Sequence, residues 1–312
     1  MVRLILIGLL SGFFFSSTFV LNRMMSLGGG HWVWSASLRY LYMILLLTAW
    51  LVVFRGTAAF ARTLGLFFNH AGFWMAAGGI GFGAFYALIC FSADYAPGWI
   101  VATTWQFTII ATLVVLTAFG RRFPRRIWLF STIVFAGVFL VNISQAGAVD
   151  PAELVNGALP VLIAAFCYPI GNQLVWEAKT GHSRLPDISG SELEHPFVKV
   201  LLMCLGSVPF WCLLVAVTAP PPPAVGQIVN TALVALFSGV MATSLFLFAR
   251  NESKSGSQLA AVDATQSSEV IFALAGEILI IGAAPPNALG VVGILVTGAG
   301  LVLFVRFQET LA

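Results

Sequence analysis

Residues 98–145 read GWIVATTWQFTIIATLVVLTAFGRRFPRRIWLFSTIVFAGVFLVNISQ. Two apolar runs, 98 to 119 and 127 to 145, flank a turn holding Arg121, Arg122, Arg125 and Arg126. A helix of ~20 apolar residues crosses the ~30 Å hydrocarbon core of a bilayer. Lys and Arg in short loops are retained on the cytoplasmic side. The stretch therefore reads as a transmembrane hairpin with its basic turn in the cytoplasm.

Outward from this hairpin the same pattern repeats. Apolar runs precede it at 4–25, 32–54 and 71–92, and follow it at 157–177, 197–218, 228–249, 257–282 and 288–306. The expected fold is an all-α integral membrane protein of ten spans. Alternating from a cytoplasmic N-terminus, the cytoplasmic segments take Arg3, Arg55, Arg62, the four arginines of the hairpin, Lys179, Arg184, Lys199, Arg250, Lys254 and Arg306, which is 13 of the 15 basic residues. Arg23 and Arg39 are left over. The reversed orientation would put the arginine cluster outside, so both termini are expected in the cytoplasm. The first run shows no small-residue cleavage site and reads as a retained span.

Composition agrees. The chain has 312 residues, 59% hydrophobic and 9% charged, with mean hydropathy +0.96, against roughly 25% charged residues in a soluble domain. A water-soluble fold is excluded, and 15 scattered basic residues make no nucleic-acid patch. The polar stretch 178–196 is too short and too polar to bury a core and reads as a cytoplasmic loop.

A faint internal repeat divides the chain into residues 1–146 and 147–312. A shift of 163 lays Gln106 on Glu269 and Phe135-Ala-Gly137-Val on Gly298-Ala-Gly300-Leu. At nearly that shift Val101-Ala-Thr-Thr falls beside Asp263-Ala-Thr-Gln, and at 150 Asn22 and Arg23 fall on Asn172 and Gln173. A repeat of five spans re-enters the membrane from the opposite side. Inverted repeats of this kind build alternating access, with substrate near midplane between the halves.

An ionisable group inside a span is costly and ordinarily faces a bundle interior or water. On a regular helix with Gln266 at zero, Asp263 lies near +60°, Glu269 near −60° and Glu277 near +20°, so the ninth span carries one polar stripe. Arg39, inside the second span, needs a partner. Glu277 or Glu269 would make it a latch, whereas an unpaired Arg39 favours an anionic or zwitterionic substrate. Trp105, Tyr86, Tyr168 and Trp176 are candidates to stack on a ligand. Asn22, Asn172 and Gln173 are amides in spans one and six that either bind substrate or join helices, and Gln106, beside Trp105, is a further site candidate. Gly78, Gly79, Gly81 and Gly83 allow close helix approach.

Taken together, Ser11-Gly12 through Val20 and Arg23, Gly79-Ile-Gly-Phe-Gly-Ala-Phe-Tyr86 with Ser92-Ala93, Val101-Ala-Thr-Thr and Asp263 through Glu277 resemble the drug/metabolite transporter superfamily. The ten-span, EamA-like members are the match, and the ninth span looks most like the multidrug-efflux branch. The resemblance implies two inverted five-helix repeats, a multi-pass protein of the cell inner membrane, and export of hydrophobic or amphipathic small molecules with protons as candidate coupling ion. Two departures stand out. The first span lacks the glutamate on which four-span relatives rely, and near the middle of spans four and nine, where many ten-span relatives have a proline, this chain has Gln106 or Thr108 and Glu269. Export of amino acids or related metabolites and a passive channel are the alternatives. An enzyme is not expected, because His31, His70, His182 and His195 lie in or beside loops and no nucleophile, metal cluster or acid/base pair is visible. Neither cofactor nor metal is expected, and no oligomer is required.

Overall fold

The computed structural model describes residues 2–123, 125–144, 150–181, 184–188, 191–253, 258 and 262–308. Lys254 and His182, assigned above to loops, lie outside them. Among the described residues there is no strand. Nine helices among these residues are long and apolar enough to cross a membrane: α1 Val2–Leu27, α2 Trp32–Asn69, α3 Ala71–Ser92, α4 Gly98–Ala118, α5 Arg125–Ile143, α6 Pro151–Lys179, α7 Pro196–Thr218, α8 Val225–Arg250 and α9 Val262–Ile281. The last helix, α10, is Ala288–Gln308, and its stretch Ala288–Phe304 is apolar.

Local chemistry places the helix ends. His31 and His195 accept the amides of Val33 and Phe197 on Nδ1, at 3.3 Å each, and so cap α2 and α7. Asp150 caps α6 by accepting from the Ala152 amide at 3.0 Å, with Pro151 at the first helical position, where its missing N–H is no loss. The proline run after Thr218 ends α7 through Ala219, which is left-handed at φ 41.

Two elements differ from the sequence reading. The segment after Phe54 is helical rather than a turn: the helix breaks at Gly56 (φ 82, ψ 164) and resumes as far as Asn69. Glycine alone takes that φ without strain, so the break falls there. In α9 the regular spiral assumed for the polar stripe is interrupted by a 3₁₀ turn at Thr265–Ser267 and a π segment at Glu277–Ile281. Further π segments occupy Gly79–Ala84 of α3 and Ala235–Ala242 of α8.

The outward surface is apolar: Leu279 is 82% exposed, Val217 and Val53 74% each. Such a surface is stable only against lipid. Inside, glycines bring helices to backbone contact, because without a side chain the axes approach closely. A Cβ on Gly81 would stand 2.8 Å from Cα of Gly171, and one on Gly78 2.9 Å from the Gly206 carbonyl carbon. These contacts lock α3 onto α6 and α7. Helices α5 and α10 pack on each other in the same way: a Cβ on Gly293 would stand 2.9 Å from the Gly137 carbonyl oxygen, and one on Gly300 2.8 Å from the Val134 amide. The other eight helices surround a central cavity.

Candidate functional site

The cavity measures about 260 Å³, and every helix except α5 and α10 contributes to its wall. Its polar groups come from both halves of the chain: Thr18 and Arg39 from α1 and α2, Thr108 from α4, Ser238 and Thr243 from α8, Gln266 and Glu269 from α9.

Helix α4 is interrupted beside this cavity. The amides of Gln106, Phe107 and Ile109 bond to the carbonyls of Thr103, Thr104 and Gln106 at 3.1, 3.0 and 3.2 Å, three residues back instead of four. This shift frees the Ala102 carbonyl, and the Gln106 side chain takes it, with Nε2 donating at 3.3 Å. The same nitrogen donates to Oε1 of Glu269 at 2.7 Å. Both residues are buried. In α9 the 3₁₀ turn frees carbonyls in the same way, and hydroxyls serve them: Thr265 donates to Val262 at 2.6 Å, Ser267 to Ala264 at 2.8 Å and Ser268 to Thr265 at 2.6 Å. Water-free helix interiors tolerate broken ladders only when side chains take over in this manner. The two interrupted helices thus meet through Gln106 and Glu269.

Arg39 stands in the wall with its guanidinium over the Tyr86 ring, 4.1 Å from the centroid. Its Nη1 donates to the Thr18 hydroxyl at 3.3 Å and its Nη2 to Ser238 at 3.1 Å. Nε is buried and meets no acceptor. No ion pair to Glu269 or Glu277 forms among the described residues. Tyr86, fully buried, receives the Asn22 amide on its hydroxyl at 3.0 Å, so Asn22 acts behind the wall. The same cavity is lined by an aromatic triangle of Phe85, Trp105 and Tyr168, with ring centroids 4.9, 5.1 and 5.7 Å apart.

The stripe expected on α9 divides among different partners. Gln266 lines the cavity with Nε2 buried and unpartnered. Asp263 pairs with Arg250 at 3.2 Å near the end of α8. Glu277 reaches the start of α4 instead, accepting from the amides of Gly98 at 2.5 Å and Trp99 at 3.5 Å; a carboxylate at a helix N-terminus satisfies amides that have no partner within the helix. Asn172 donates to the carbonyl of Tyr168, one turn back, at 3.0 Å. Trp176 is 41% exposed and lies under Arg121, 4.8 Å from ring centroid to guanidinium. Neither of these two lines the cavity.

Several wall residues carry no mark in the sequence: Phe15, Phe19, Phe82, Phe85, Ser238 and Thr243. A serine or phenylalanine in an apolar span looks the same whether it faces lipid, a neighbouring helix or a ligand. Only the π segment of α8, invisible in composition, turns Ser238 and Gly239 inward; π turns of this kind recur at functional sites.

The EmrE family, described as "Putative multidrug resistance efflux transporter", matches residues 2–310. This chain belongs to that family. Among relatives of the EmrE-family chain, "Uncharacterized protein YjlA" of Bacillus subtilis (strain 168) is 37% identical over 318 residues, covering 97% of this chain and 94% of that one. "Uncharacterized 42.1 kDa protein in intracellular alkaline protease 3'region" of Shouchella clausii is 34% identical over 281 residues, covering 86% of this chain and 70% of its own. A solved structure described as "Crystal structure of protein" shares the fold at TM-score 0.60 and 13% identity, with 99% of each chain covered. Membership of the EmrE family makes this a multi-pass membrane protein of a transporter family.

Proposed function

We propose that this protein is a secondary active exporter of amphipathic small molecules in the cell inner membrane. It works by alternating access between two inverted five-helix repeats, ten spans in all, with both termini cytoplasmic. The observation that carries this reading is the 2.7 Å bond from Gln106 to Glu269, which lines the cavity. The repeat offset of 163 makes these two positions equivalents, and equivalent positions touch only where they lie on a two-fold axis. Contacts between α5 and α10 support the same axis. Gly137 lies against Thr297 and Val134 against Gly300; with the same offset, Thr297 is the equivalent of Val134 and Gly300 that of Gly137, so the contacts are reciprocal. A cavity on that axis, walled by both repeats, is where rocking of one half against the other changes which side has access.

Glu269 is the group assigned to proton exchange, because it is the carboxylate of the cavity wall; Glu277 and Asp263 are engaged outside it. The test is reconstitution into proteoliposomes with an imposed proton gradient and a panel of neutral, cationic and anionic amphiphiles together with amino acids. The expected result is accumulation of a substrate against its gradient, with protons exchanged on binding, and loss of proton exchange in Glu269→Gln. Equilibration without accumulation would make the protein a passive channel, and a Glu269→Gln protein that couples normally would remove Glu269 from the mechanism.

A further inference from the structure

Resting on that exporter reading, we infer that the cavity takes an organic anion, a carboxylate on a flat apolar body, with Arg39 as its counter-cation. The guanidinium carries a permanent charge and five N–H donors. Thr18 and Ser238 receive bonds from two of its nitrogens, yet both hydroxyls are neutral, and Nε has no acceptor. No carboxylate pairs with it among the described residues: Glu277 accepts the Gly98 and Trp99 amides, Asp263 pairs with Arg250, and Glu269, on the same wall, is held by Gln106. Within a membrane-spanning bundle an uncompensated charge persists only where something else completes it. The unpartnered Nε2 of Gln266 lines the same cavity and adds a second buried donor without an acceptor. Two unpartnered donors and a cation without an ion pair, on residues that line one cavity, favour a ligand that brings an acceptor group. Carboxylate meets the guanidinium fork bidentately.

The rest of the wall selects the body. Phe85, Trp105 and Tyr168 offer ring faces, and Phe19 and Phe82 add further apolar surface. The volume of about 260 Å³ falls just under the ~300 Å³ at which pockets for drug-sized ligands begin. A single ring with a short acidic side chain suits that space. A lipophilic cation would bring its charge against Arg39.

The test uses three molecules that share one ring and differ in head group: phenylacetate, phenylacetamide and phenethylammonium. Binding to the purified, detergent-solubilised protein is measured by calorimetry, and transport by counterflow in proteoliposomes. Phenylacetate is expected to bind about ten- to hundredfold more tightly than the amide, the value of a charge-assisted over a neutral contact, with the ammonium weakest. Arg39→Gln should bring carboxylate and amide to equal affinity, and Gln266→Leu should weaken the carboxylate in a protein whose Arg39 is intact. Tighter binding of the ammonium, an unchanged preference in folded Arg39→Gln, or no binding of any of the three at millimolar concentration overturns the assignment. If the ammonium is bound and transported, the anion site fails and the exporter reading stands. If phenylacetate binds through Arg39 without being moved, the exporter reading fails and the site stands.

Discussion

Replacing Glu277 should destabilise the fold, whereas replacing Glu269 should not do so to the same degree, although both are buried carboxylates of one helix. Glu277 is 1% exposed and accepts two backbone amides at the start of α4, at 2.5 and 3.5 Å. Glu277→Leu leaves both amides in a water-poor interior without an acceptor. At about 1–3 kcal/mol per orphaned group, and with the longer contact counted at the lower end, the loss is about 2–4 kcal/mol. Glu277→Gln keeps an acceptor oxygen and loses only the charge, for about 1 kcal/mol. At roughly 2 °C per kcal/mol for a chain of this size, Leu should lower Tm by about 4–8 °C and Gln by about 2 °C. Thermal unfolding of the purified protein, followed by size-exclusion chromatography after heating, measures both. If Glu277→Leu melts within 1 °C of the parent, or if Gln costs as much as Leu, the capping role is wrong.

Two further outcomes follow from the geometry. Gly78→Ala should lower stability by about 1–3 kcal/mol, since its Cβ would press on the backbone of α7, while Gly79→Ala, whose nearest neighbour is 4.0 Å away on Phe210, should be neutral or slightly stabilising; melting temperatures of the pair decide. His195 sits outside the spans, against Trp50 at 4.5 Å, and burial with the Arg55 cation holds its imidazole below the ordinary value. Protonation is therefore easier in the unfolded chain, so stability is full above about pH 6.5 and declines as pH falls from there through the lower native value; His195→Asn, which retains a cap, should flatten that part of the stability profile.

Most of the fold was legible because the bilayer imposes a simple rule. A run of apolar residues long enough to span is a helix, since no other single segment satisfies its own backbone, and basic residues between runs mark the turns. The two apolar runs within 98–144 form α4 and α5, with Arg121 and Arg122 after α4 and Arg125 and Arg126 opening α5. Irregularity was not legible. The helix beyond Gly56 and the π segments of α3, α8 and α9 follow from packing, and composition carries no sign of them.

The site divides along the same line. Arg39, Tyr86, Trp105, Gln106, Tyr168, Gln266 and Glu269 all stand at or immediately behind the cavity wall, and each was conspicuous as a polar or amphipathic residue in an apolar run. Asp263, Glu277, Asn172 and Trp176 were equally conspicuous and serve elsewhere. Glu269 and Glu277 both face α4, Glu269 through Gln106 and Glu277 through the Gly98 amide, so they differ in depth along α9, and the depth of Glu277 takes it to a helix end instead of the cavity.

What the sequence by itself determined is therefore the solvent, the number and order of apolar runs, and the set of polar groups a membrane would force inward, since transfer free energy depends on composition and is read residue by residue. Which of those groups share a cavity, and which are spent on joining helices, depended on the tertiary structure. Hydrogen bonds inside a bundle are made between residues 163 or 179 positions apart, and nothing in a single chain's order states which distant donor will satisfy which acceptor until the helices have packed.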